Sequence, residues 1–258
     1  MDLCFDPDIA KRYKSSSQRA RVLTESWAEG NLYCPACLAA HLKRRRDNTK
    51  IYDFVCARCS ELFQLKSQQK PIGAKILDSA YQPMLQAIRR NLAPNFFLLH
   101  YDPLRLFVQN LLLIPRYFVS ASCIEARNPL SATARRADWV GCLINLTRVP
   151  EQGRIFLVRE KAVQPAHEVE SRYRQFQFLN KKDWRSRGWT ADVLACLDRI
   201  KKAQFALHEV YAFEDELKAL HPGNFHVRDK IRQQLQLLRD HGMLTFRGGG
   251  CYKRLTRP

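Results

Sequence analysis

No stretch of the 258-residue chain approaches the run of about 18 uncharged apolar residues that a membrane-spanning helix requires. The opening residues, MDLCFDPDIAKRYK, lack the apolar centre of a secretory signal, being acidic first and basic after. An intracellular protein without membrane contacts is therefore expected. Internal repeats and low-complexity tracts are missing too. Acidic residues are scarce: Asp and Glu number 25 against 43 Lys and Arg, a formal charge of +18. An excess of that size points to a polyanion, and nucleic acid is the commonest one. The alternatives are a solvated basic surface or anionic lipid. Against lipid, no amphipathic membrane helix stands out, and the basic residues gather in two places.

Hydrophobic residues make up 46% of the chain, enough for one large domain or two smaller ones with a real core. The nine cysteines are an odd number in a chain without a signal, which argues against secreted disulfides. Cys34, Cys37, Cys56 and Cys59 fall in the pattern C-x2-C-x18-C-x2-C. Each C-x2-C turn supplies two thiolates, and two such turns make the tetrahedral shell that zinc favours. Four sulfurs leave no position for a water, so the expected zinc is structural. A redox role for C-x2-C needs a thioredoxin-like βαβ context, which is missing. Cys4, Cys123, Cys142, Cys196 and Cys251 are scattered and read as reduced thiols.

Periodicity predicts a helix over 16–28 and a second from Asp78 to Asn91, with Pro83 tolerable only in its first turn. Strand-like runs follow at Asn95–His100, Leu104–Ile114, Trp139–Leu146 and Arg154–Arg159. This order suggests an α/β core with a mixed sheet. The charged stretch Leu179–Thr190 lacks periodicity and reads as a boundary. Beyond it come helices at Ala191–Lys202, His208–Leu220 and Val227–Arg239, then a glycine-linked hairpin of Met243–Arg247 and Cys251–Leu255. Three helices and a two-stranded wing make the winged-helix plan.

The second cysteine pair lies inside IYDFVCARCSELFQLK, residues 51–66. Asp53 precedes the pair on a short β-prone run, and Glu61–Lys66 reads as a strand after it. Leu62, Gln64 and Lys66 then share one face, with Glu61, Phe63 and Leu65 on the other. A hairpin turned at the cysteines would bring Asp53 near Gln64 and Lys66. An acid, a second oxygen ligand and a lysine can hold Mg²⁺ and orient a water against a phosphodiester. The plainer reading makes Asp53 a turn residue and Lys66 a solvent-facing strand end.

These residues and their neighbours resemble the DpnI-type, methyl-directed restriction endonucleases, a branch of the PD-(D/E)XK nuclease superfamily. The likeness covers nearly the whole chain. It includes YKSSSQRARVLTESW (13–27), CPAC (34–37), DFVCARCSELFQLK (53–66), NPLSATARRADWVGC (128–142), GRIFLV (153–158), SRGWT (186–190) and KIRQQLQLLRDHG (230–242). The resemblance implies an α/β PD-(D/E)XK nuclease core with an inserted four-cysteine zinc site over 1–182, then an α+β winged-helix domain over 183–258. It further implies a bacterial, cytoplasmic monomer that cuts double-stranded DNA at GATC sites carrying 6-methyladenine, with Mg²⁺ and with Mn²⁺ as a substitute. Asp53 and Gln64 would be the catalytic metal ligands, and Lys66 would position the attacking water. The family pattern has Glu where this chain has Gln64. An amide oxygen can ligate but brings no charge, so weaker metal affinity is expected. Q-x-K also resembles the catalytic variant of the Mrr-like branch, which favours an active enzyme. The alternatives are a methyl-DNA-binding protein that lost cleavage through Gln64 and a winged-helix regulator.

Two basic clusters are the expected DNA contacts. Arg127, Arg135 and Arg136 flank a polar loop that ends at Trp139. Arg228, Lys230, Arg232 and Arg239 lie on or beside the third helix, with Gln233, Gln234 and Gln236 offering amides to adenine edges. Arg247, Lys253 and Arg254 lie on the wing, where phosphate contact is the expectation. Trp139 is the candidate methyl contact, a buried core ring being the equal alternative, whereas Trp189 reads as packing. Burying one methyl contributes about 0.8 kcal/mol, and one methylene shifts discrimination by roughly 10–200-fold. Strong methyl dependence therefore has to combine two methyls per palindrome or two reading domains. Glu25 either adds an acid to the site or pairs with Arg21 on its own helix.

Overall fold

The computed structural model describes residues 1–45, 52–131, 133 and 135–255. Ile51, which opens the run read as β-prone, lies outside the described residues, as do Ala132 and Ala134.

The first helix, α1, runs Ser16–Asn31 and buries Leu23, Thr24, Trp27 and Ala28. Two short strands follow, β1 (Lys43–Arg44) and β2 (Phe54–Val55), then the longer β3 (Leu62–Gln68). Lys75–Ala80 forms β4 and Tyr81–Arg89 forms α2. The helix expected from Asp78 is thus a strand up to Ala80. Starting the helix at Tyr81 leaves Pro83 in the first turn, where a missing N–H costs nothing. The segment before it pairs as an edge strand instead.

β5 (Asn95–Asp102) and β6 (Phe107–Ile114) are the apolar centre. Phe96, Phe97, Leu98 and Leu99 are all buried, the mark of a strand covered on both faces. β7 (Ile124–Ala126), β8 (Gly141–Asn145), β9 (Ile155–Arg159) and β10 (Ala162–Val163) complete this part. The main sheet has seven strands in the order β1-β2-β3-β5-β6-β9-β10. Among the described residues only β3 and β5 pair in parallel, and β4 with α2 supplies the crossover that such a pair needs. A second sheet, β4-β8-β7, carries the continuation of that crossover. The expected mixed sheet is present. α1 packs against β3 and α3 (Ala166–Gln175) against β9.

The stretch read as an aperiodic boundary is largely helical. α4 runs Trp184–Ile200, N-capped by the Asp183 carboxylate on the Arg185 and Ser186 N–H groups. Periodicity is hidden because the helix is buried nearly all round: Arg187, Gly188, Trp189 and Thr190 are all inside. The single helix expected over His208–Leu220 is two, α5 (Leu207–Tyr211) and α6 (Glu214–Leu220). α7 (Val227–Asp240) follows, then β12 (Leu244–Gly248) and β13 (Cys251–Arg254). Gly248, Gly249 and Gly250 all have positive φ, which the tight turn between these strands requires. A third strand, β11 (Gln204–Ala206), pairs with β13 and was not legible beforehand.

Buried polar groups tie these C-terminal helices to the rest. Asp192 accepts from Ser122 Oγ at 2.6 Å and bonds His221 Nε2 at 2.9 Å. Arg187 reaches Asn91 Oδ1 at 2.7 Å, and burial lowers its pKa to about 10. His221 also stacks on Trp189, whose packing role was expected. Among the described residues, no helix is long and apolar enough to cross a membrane.

Candidate active site and DNA-facing surfaces

The two cysteine turns are built alike. In each, the N–H four residues after the first cysteine bonds back to that cysteine's carbonyl, at 2.8 Å for Leu38 and 2.9 Å for Ser60. Cys34 and Cys56 donate their own N–H to Ala39 and Glu61, both at 2.9 Å. Leu38 and Ser60 adopt positive φ just after the second cysteine. Together the turns bring all four Sγ atoms within 4.8 Å of one another. Cys34 lies 3.5 Å from Cys59, and Cys37 lies 3.6 Å from Cys56. A zinc–sulfur tetrahedron with bonds of about 2.3 Å has edges of about 3.8 Å. The sulfurs present fit that shell, so the cluster could bind zinc. Burial pushes the Cys34 thiol up. Burial also pushes on Cys56, but the N–H groups of Cys59 and Arg58 bring it down to about 7.

The second turn reverses the chain between β2 and β3. Phe54 faces Phe63 and Val55 faces Leu62 in this antiparallel pair. The Asp53 N–H donates to the Phe63 carbonyl at 2.9 Å, and its Oδ2 accepts from the Leu65 N–H at 2.8 Å. Asp53 thereby stands beside the strand of Gln64 and Lys66, the juxtaposition expected from the hairpin. Burial pushes the Asp53 carboxyl above its usual range; Leu65 and Lys66 oppose this and Glu25 adds to it.

Gln64 is 7% exposed, and its Oε1 is buried without a hydrogen-bond partner among the described residues. Leaving such an oxygen unbonded costs about 1–3 kcal/mol, so one that persists calls for an explanation. Service as an oxygen ligand for a hard cation would be such an explanation. Lys66 is ion-paired with Asp78 on β4, a residue that sequence reading had placed in a helix and left out. Glu61 bonds Asn95 at 2.9 Å and lies 3.4 Å from Arg116, so it does not substitute for Gln64. Glu25 pairs with Arg21 at 2.7 Å, the second of its two expected roles, and with Arg44 at 2.5 Å.

The chain belongs to the DpnI family. The model of this Dam-replacing family matches residues 1–182, and the Dam-replacing HTH domain matches 185–254. Family membership implies a methyl-dependent restriction endonuclease with a DNA-binding helix-turn-helix domain.

On the first of the basic surfaces, Arg127, Arg135 and Arg136 are exposed. The loop is pinned at its ends, since Arg127 N–H bonds Gly141 at 2.9 Å and Leu130 N–H bonds Trp139 at 3.1 Å. Trp139 is half-buried, neither a core ring nor a free one. It lies on Gly141 so closely that a Cβ there would come within 2.8 Å of the indole. On α7, Arg228 pairs with Glu214 at 2.7 Å, Lys230 bonds Gln233 at 2.8 Å, and Arg232 pairs with Asp229. These are exposed, solvent-screened contacts, readily exchanged for phosphates. Arg247 is exposed with no ion pair among the described residues. Phe225, 85% exposed just before α7, was passed over by sequence reading.

Two expected contacts are corrected. Gln234 is 3% exposed, and its Oε1 accepts from Thr190 Oγ1 at 2.7 Å. It stands on the apolar stripe of Val227, Ile231, Leu235 and Leu238, and that spacing could have placed it inside. Arg254 turns inward to the Leu197 carbonyl rather than out from the wing. Gln234→Ala should therefore cost about 0.5–1.5 kcal/mol in urea unfolding for the lost buried hydrogen bond, since Thr190 Oγ1 keeps the Ser186 carbonyl at 3.0 Å as its partner. DNA affinity of the folded variant should stay unchanged, whereas Gln233→Ala, exposed on the same helix, should weaken DNA binding with stability intact.

Proposed function

We propose that this protein is a metal-dependent endonuclease of the PD-(D/E)XK type that cleaves double-stranded DNA at GATC sites bearing 6-methyladenine. On this reading residues 1–182 form the nuclease domain and 183–258 the winged helix. What supports it is the hairpin: Asp53 accepts from the Leu65 N–H on the strand that carries Lys66 and Gln64, and the Gln64 oxygen is buried without a hydrogen-bond partner among the described residues.

Asp53 and Gln64 would hold Mg²⁺, an oxygen-only donor pair suited to a hard cation that also takes phosphate oxygens. The ion would supply positive charge to the phosphoryl group and a more acidic water. Asp53 is kept in position by the Leu65 N–H, so its carboxylate need not reorganise when DNA arrives. Lys66 adds a fixed positive charge where negative charge develops on the phosphate. The half-buried Trp139, flanked by arginines, would meet methyl groups in the major groove, while Arg228, Lys230, Arg232, Gln233 and Arg247 would hold the duplex on the winged helix.

A methyl-DNA-binding protein without cleavage is the second reading, favoured by the missing charge at Gln64. Incubating methylated and unmethylated GATC plasmid with Mg²⁺, Mn²⁺ or EDTA separates the two. Cleavage of the methylated plasmid alone, and only with metal, is expected. A methylation-dependent mobility shift without cleavage would establish the binding protein instead.

A further inference from the structure

The Asp78 side chain has no exposure to solvent, against 20% for the Lys66 side chain with which it is ion-paired. Its other oxygen faces the Cys142 thiol at 3.7 Å. Burial and the Asp78 charge push that thiol up to about 12, so it remains a neutral neighbour. Asp78 sits in the small sheet, opposite Cys142 on β8, while Lys66 belongs to the large one. An irregularity between Asp78 and Ala80 interrupts the β4–β8 ladder at this point. Bulges of this kind re-aim a side chain. Here the carboxylate reaches across the gap between the two sheets to a single ammonium.

Sealing a carboxylate from water is costly, and a buried ion pair is seldom a net gain over apolar packing of the same volume. The pair therefore makes more sense as a device of orientation than of stability. We infer that Asp78 is a positioning residue of the cleavage site. It anchors the Lys66 ammonium on the strand face of Gln64 and so sets where that charge meets the scissile phosphate. This rests on the reading of Lys66 as the catalytic lysine. β8 adds a consequence: the segment that ends the Trp139 loop at Gly141 continues directly into Cys142, the Asp78 partner. The loop proposed to read the methyl group and the anchor of the lysine are thus neighbours on one strand.

The test uses the full chain and a methylated GATC duplex, with single-turnover cleavage and equilibrium DNA binding measured in parallel. Asp78→Asn keeps the shape but loses the charge. It should cut on the order of a hundredfold more slowly while the Kd stays within about twofold. Asp78→Glu should recover part of the rate. A purely structural role would lower rate and affinity together, and that result would overturn the inference. So would a rate within about threefold of wild type in Asp78→Asn when Lys66→Ala is slow. If Lys66→Ala itself cuts like wild type, the reading of Lys66 fails first and Asp78 falls with it. Should Asp78→Asn fail to fold, the double variant with Lys66→Met should fold, because it removes both halves of the pair. Failure of the double variant to fold counts against the pair.

Discussion

Lys66→Ala should slow single-turnover cleavage of methylated GATC DNA by about 10²–10³-fold, with DNA affinity nearly unchanged. The size follows from what the residue does in this account. One preorganised charge or donor aimed at developing negative charge contributes about that much when removed. Lys66 is two residues from Gln64 on β3 and is held by a carboxylate sealed from solvent, so its charge costs no reorganisation at the moment of reaction. Its contribution to binding the ground-state duplex is small beside that of the exposed arginines, so affinity should hold. Pre-steady-state quench for the rate and fluorescence anisotropy for affinity separate the two. A fall in affinity equal to the fall in rate would make Lys66 one more phosphate contact.

Loss of a zinc ion held by the four cysteines should be as damaging, by another route. β1 and β2 have two residues each, and strand pairs that short are not stable on their own. Beyond the pairing of β2 with β3, the turn at Cys56 and Cys59 joined to the turn at Cys34 and Cys37 would hold them. A structural zinc site in zinc-finger peptides provides about 10–16 kcal/mol, comparable with or larger than the whole stability of a typical domain, about 5–15 kcal/mol. Cys56→Ser should therefore release the Asp53 strand and abolish cleavage. Stripping zinc with a strong chelator should do the same. Adding Mg²⁺ afterwards should not restore cleavage, whereas zinc with Mg²⁺ should. Zinc release can be followed colorimetrically alongside cleavage. Recovery with Mg²⁺ alone would show that the clamp is not needed.

Much of this was legible because it depends on spacing along the chain. The C-x2-C pairs, the reversal between Asp53 and Lys66, and the alternation that sets Gln64 with Lys66 are all local patterns. So is the apolar run of β5, whose two-sided burial leaves almost no polar residue in its first five positions. What was missed depends on distant pairing. Asp78 looked helical because the segment continues into α2, and its true partner, Cys142, is far along the chain. β11 is three residues long and exists only because β13 returns to it. α4 hid its start because burial on nearly every face erases amphipathic periodicity. Gln234 differs for the opposite reason: its polar side chain suggests a surface contact, while the stripe of Val227, Ile231, Leu235 and Leu238 places it inside.

Gln64 decides the proposed metal site, since its amide stands where the resemblance implies a carboxylate, while its oxygen is buried and has no hydrogen-bond partner among the described residues. The decisive measurement is the Mg²⁺ dependence of single-turnover cleavage for wild type and Gln64→Glu. Adding a full negative charge beside the cation should lower the half-saturating Mg²⁺ concentration by at least about tenfold. The maximal rate should be retained or raised. If Gln64→Glu abolishes cleavage while methylated DNA still binds, Gln64 is not the ligand proposed here, and the hairpin site must work in another way.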